Sequence, residues 1–165
     1  MRLRTMLAAV LLLCASHVAS GQEAGATSRA DVNAMMRRMV EAWQTLDPAN
    51  VAPLYAKDAT LAFYDIAPLK FTGWKEYASG TAQIFAGFSS LKVTLNDDLR
   101  TEQRGNVAWA TTTFRADIVN KDGSKVALDG RWTVIWERRD RDWLIVHEHG
   151  SVPLPLPKPA AQKNQ

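Results

Sequence analysis

The chain has 165 residues with 20 basic and 17 acidic side chains, three histidines and one cysteine. One cysteine excludes a disulfide framework and a thiolate metal cluster. The near balance of charge in a chain of this length fits a single globular domain and not a nucleic-acid-binding surface.

The first residues, MRLRTMLAAVLLLCASHVASGQ, place Arg2 and Arg4 ahead of an apolar run from Met6 to Ala15. That run is too short to span a bilayer, and the small residues Ala19 and Ser20 follow it. The pattern predicts a cleavable signal peptide over residues 1–21, with a periplasmic or secreted product. Leu13 ahead of Cys14 argues against a lipidated cysteine. Cleavage removes Cys14, His17 and both arginines, leaving 18 basic residues against 17 acidic. No second apolar span follows, so no membrane span is expected.

Val32, Met35, Met36, Met39, Val40, Trp43 and Leu46 recur at steps of three and four, predicting a helix capped by Ser28 or Asp31 and ended at Asp47-Pro48. Val51 to Tyr55 is expected as a short second helix. ATLAFYD (59–65) reads as a strand. Trp74, Tyr77, Thr81, Ile84, Phe85 and Phe88 form another helical stripe. From Leu91 the period changes to two. LKVTLNDDLRTE, NVAWATTTFRADIV, KVALDGRWTVIWERR and DWLIVHEHGS read as four strands, joined at their last turns by Asp122-Gly123 and the RRDRD run. The alternating prolines of the last twelve residues, 154–165, predict an extended, flexible tail. Helices followed by an antiparallel meander indicate an α+β fold.

Three stretches carry a family resemblance: LYAKDATLAFYD, FTGWKEY and GRWTVIWERRDRDWLIVHEHGSVP. With them, residues 28–153 resemble the SnoaL-like, ketosteroid-isomerase-like branch of the nuclear transport factor two-like superfamily. The last stretch is also similar to the association domain of calcium/calmodulin-dependent protein kinase. The resemblance implies a cone: a curved antiparallel sheet wrapped around a long N-terminal helix, with an apolar pocket at its open end. It further implies a homodimer and a small apolar ligand. The chemistry implied is of the isomerase, cyclase or lyase kind without a cofactor; the alternative is a non-catalytic dimerisation or ligand-sensing module. A dimer also suits a sheet with apolar residues on both faces, Trp132, Val134 and Trp136 on one and Trp143 and Ile145 expected on the other.

The densest chemistry lies in His147-Glu148-His149. On a strand the two histidines share one face and Glu148 takes the other. Two histidines are half of a zinc site, and no third ligand is evident, so no metal is expected. Against the family, the ligand-contacting arginines of the kinase domain match Val134 and Gly150, so an acidic ligand is not implied. Alternation then turns Glu148, Val146 and Leu144 toward the pocket beside Trp132 and Trp136. A bulge would turn His149 inward instead. The isomerases' catalytic aspartate matches Phe63, while Asp65, two residues on, shares its face. Glu148 and Asp65 are therefore the catalytic candidates. Phe63, Trp132, Val134, Trp136, Val146 and Glu148 are the ligand-binding candidates, with His149 as second choice. The tryptophans have two readings, sheet core or ligand cage. Asp129 and Arg131 are expected to pair across solvent.

Overall fold

The computed structural model describes residues 30–154. The expected signal peptide over residues 1–21 and almost all of the proline-rich tail lie outside them. Helix α1 (Val32–Trp43) is capped by Asp31, whose carboxylate accepts from the Ala34 amide at 2.9 Å. Its stripe buries Val32, Met36, Met39, Val40 and Trp43. The helix stops at Trp43, short of Leu46, which takes a left-handed φ of 60°. Asp47-Pro48 opens a new helix instead of closing the first. Asp47 caps α2 (Pro48–Val51), and a 3-10 turn, Ala52–Leu54, continues it. The second helix thus begins earlier than its apolar residues suggested, because the Asp-Pro pair supplies both cap and first turn.

Strand β1 (Ala62–Tyr64) and the short β2 (Phe71–Thr72) lead into α3 (Gly73–Phe85). Gly73 has φ +68°, and a Cβ there would sit 3.0 Å from the Ala59 backbone, so this tight entry requires glycine. Phe88, expected on the helix stripe, begins a strand. The expected strand over 91–102 is two: β3 (Phe88–Leu95) and β4 (Arg100–Arg104). Between them Asp98 accepts from the Thr113 amide at 2.9 Å and from the Thr112 and Thr113 hydroxyls. The Asn-Asp-Asp run thus makes a corner, and both pieces pair with β5 (Val107–Asn120). Then come β6 (Lys125–Arg139) and β7 (Asp142–Ser151).

The seven strands form one sheet in the order β2-β1-β7-β6-β5-β3, with β4 also on β5. The meander is antiparallel as expected, but β1 lies parallel to β7, so the sheet is mixed. Its inner face packs on the helices, joining Met36 and Met39 of α1 to Phe63, Val134, Trp136 and Ile145. The expected split of apolar residues between two faces is corrected here. Trp136 pairs with Ile145, both are buried, and Trp143 packs against the same core. On the outer side Asp129 meets Arg115 at 3.4 Å and not Arg131. No helix among the described residues is long and apolar enough to cross a membrane.

Candidate functional site

Three elements bring Glu148 into position. Its strand lies between β6 and β1, so Glu148 is flanked in register by Val134 and Phe63, both wholly buried. Glu148 itself is 1% exposed. From α3, the Tyr77 ring stacks on Phe63 at 4.9 Å and 15°, and its hydroxyl donates to Glu148 Oε1. Tyr55 enters from the segment after the 3-10 turn, which is pinned to β7 by the Ala56 amide donating to the Ile145 carbonyl at 2.9 Å. The Trp43 indole donates to the Tyr55 hydroxyl at 3.0 Å.

Above this layer the cone opens into a cavity of about 290 Å³. Trp43, Tyr77, Phe85, Phe88, Phe114 and Trp132 supply aromatic wall, and Glu148 and Asp65 are its two carboxyl groups. Burial drives the Glu148 pKa up to about 8, and Asp65 adds to the rise, while the Tyr77 hydrogen bond opposes it. Tyr55 and Trp132 also favour the ionised form, but at longer range. Neither makes a hydrogen bond to Glu148 Oε2, which is buried and has no partner among the described residues. Burial followed by the neighbouring Glu148 holds both Tyr55 and Tyr77 well above the usual tyrosine value, so both stay protonated as donors. Asp65 is also raised by burial, against one hydrogen bond from the Ile66 amide at 2.7 Å. At neutral pH the site therefore offers a neutral carboxylic acid inside and a second carboxyl near the mouth. That pair can donate and accept protons without any other group.

Glu148, Asp65 and Trp132 of the expected residues line the cavity. The others do not. Phe63, Val134 and Trp136 lie one layer below, in the packed core. Val146 is displaced by a bulge: Ile135 pairs with His147 but Trp136 pairs with Ile145, leaving Val146 as the extra residue. Ile145, and not Val146 or Leu144, therefore shares the inner face with Glu148. A bulge, the alternative that would turn His149 inward, does exist, but it falls before His147 and leaves His149 exposed on the outer face. There the Tyr64 ring meets His147 and His149 edge-on at 5.5 and 5.7 Å. His147 Nδ1 lies 2.8 Å from the Ala62 carbonyl.

Tyr77 appeared in the sequence only as part of a helical stripe, and the partner roles of Tyr55 and Trp43 were not foreseen. The available signal was chemical: a tyrosine on a buried stripe needs a partner for its hydroxyl, and the one carboxylate expected to face inward was Glu148.

No curated protein matches the chain. Solved structures do. A nuclear transport factor 2-like superfamily protein from Salmonella enterica superposes with TM-score 0.70 at 20% identity, covering 81% of this chain and 94% of that one. A candidate calcium/calmodulin-dependent protein kinase II association domain from Xanthomonas campestris gives TM-score 0.67 at 21% identity, covering 76% and 87%. A candidate scytalone dehydratase from Novosphingobium aromaticivorans gives 0.65 at 14%, covering 74% and 82%. At these identities the likeness establishes the nuclear transport factor 2-like fold alone. The family model of the SnoaL-like domain matches residues 32–155, most of the chain, and the protein belongs to that family.

Proposed function

We propose that this protein binds a small, largely apolar molecule in the open end of its cone and exchanges a proton with it through Glu148. The observation that carries the reading is a fully buried carboxyl on an aromatic cavity wall, held by Tyr77 through one oxygen and, among the described residues, without a partner on the other. A neutral acid costs little to bury there, and a ligand oxygen or nitrogen completes its hydrogen bonding. Asp65 on the same cavity gives a second proton carrier, so one group can donate while the other accepts. Isomerase, cyclase or lyase chemistry needs no more than this, and the dehydratase description of one structural neighbour fits the lyase branch. The non-catalytic reading draws support from Phe63, which stands where the isomerases hold their aspartate and is sealed in the core.

Export through the N-terminal signal and homodimerisation across the outer face of the sheet belong to the same proposal. Half-buried Trp109 and exposed Tyr64 lie on that outer face and support the second point.

The test is native mass spectrometry on the protein taken from periplasmic extract, beside Glu148→Gln. A retained small molecule that the variant loses is the expected result. Incubation in heavy water then separates the readings: deuterium in the released ligand marks catalysis, and its absence marks binding alone. Equal retention by both proteins would remove Glu148 from the site.

A further inference from the structure

The cavity's charges narrow the ligand class. Its two carboxyl groups, Glu148 and Asp65, face no base: among the described residues no lysine, arginine or histidine lines it. Asp65 reaches the wall from the end of β1, near Gly150. A neutral ligand that accepts from Glu148 would satisfy one oxygen, yet it would seal the Asp65 carboxylate further from water with nothing to offset the charge. A cation removes that difficulty and also suits the aromatic rings of the wall, whose faces attract positive charge.

Resting on the reading that Glu148 meets the ligand, we infer that the cavity takes a protonated amine with an aromatic or alicyclic body, its ammonium held between Glu148 and Asp65. Glu148, ionised, then becomes an acceptor on the cavity wall, and carboxylate or phosphate ligands are rejected. Binding of the ammonium converts Glu148 from acid to carboxylate, so its proton leaves to solvent as the ligand enters. The groups that face Glu148 fix this sign. Tyr77 on α3 and Tyr55 after the 3-10 turn are neutral donors, β6 contributes uncharged Val134 and Trp132, α1 contributes the neutral Trp43, and Asp65 is acidic.

The experiment is isothermal titration calorimetry of the protein with three probes on one skeleton: phenylpropylamine, phenylpropanol and phenylpropanoate. The amine should bind about tenfold more tightly than the alcohol, and the carboxylate more weakly than either. Amine affinity should rise with pH up to about 8, with about one proton released per ligand at neutral pH. Asp65→Asn should shrink the gap between amine and carboxylate while leaving the protein folded. An alcohol that binds as tightly as the amine and weakens above that same pH overturns the inference, but leaves Glu148 as a proton donor to a neutral ligand. Amine binding that Glu148→Gln leaves unchanged, in affinity and in proton release, overturns the inference together with the reading beneath it. Failure of all three probes to bind also overturns it.

Discussion

The inner face of the sheet has two ends that obey different physics, and strand β6 runs through both. At the narrow end Trp136 is 2% exposed, beside Ile145 and the methionines of α1. At the wide end Trp132, on the same face four residues earlier, is only partly buried and looks into the cavity with Phe114 at 5.5 Å. One tryptophan fills a core; the other forms a wall with nothing opposite it. Glu148 lies at the boundary, close enough to the core to lose water and close enough to the cavity to meet a ligand. The contrast shows that an apolar strand pattern reports burial without reporting what does the burying.

The largest expected effect breaks the narrow end. Trp136→Ala should cost about 3–5 kcal/mol in urea unfolding, through lost burial and an uncollapsed cavity, while Trp132→Ala should cost about 1–2 kcal/mol. Equal losses would mean that the wide end is as tightly packed as the narrow one.

The boundary residue comes next. The Glu148 pKa is about 8 in the folded protein against an ordinary 4.5. A raised folded value means the folded state holds the proton more tightly, so its stabilisation is complete below about 4.5 and is lost as pH climbs through 8. Over that window wild-type stability should fall on the order of 5 kcal/mol. Glu148→Gln should flatten the profile, being no more stable than wild type at the acid end and more stable at the alkaline end. Parallel profiles, followed by thermal melts across pH, would place Glu148 in water.

Tyr77→Phe is a smaller change, about 1–2 kcal/mol, because it leaves Glu148 Oε1 without its donor. Its signature is the direction of titration: Glu148 should hold its proton to still higher pH. The smallest effect lies far from either end, where Arg139 meets Asp58 and Glu137 on the surface. Arg139→Gln should cost less than about 1 kcal/mol, and added salt should shrink the difference.

Much of this geometry can be read from residue spacing. The steps of α1 give its buried stripe, and alternation along DWLIVHEHGS gives opposite faces to Glu148 and its two histidines. The cavity's floor was less accessible. The Val146 bulge reverses parity on one side of His147 only, and nothing in LIVHEH marks which residue is extra, since every residue there suits a strand. For the same reason simple alternation puts Ile145 on the wrong face. The parallel pairing of β1 with β7, and the meeting of Tyr77 with Glu148 across 71 residues, depend on long-range packing that no local pattern encodes. Phe63, Val134 and Trp136 alternate as cavity residues would; the packing of α1, α3 and the Tyr55 segment over that end decides that they are core.

The central claim is that Glu148 is a buried acid on the cavity wall that keeps its proton near neutrality. Carbon-detected NMR of selectively labelled glutamate, with Glu148→Gln for assignment, reads this group directly. A carboxyl carbon that titrates with a midpoint near 8 is the predicted result. A midpoint near 4.5, the value of an exposed glutamate, would contradict it.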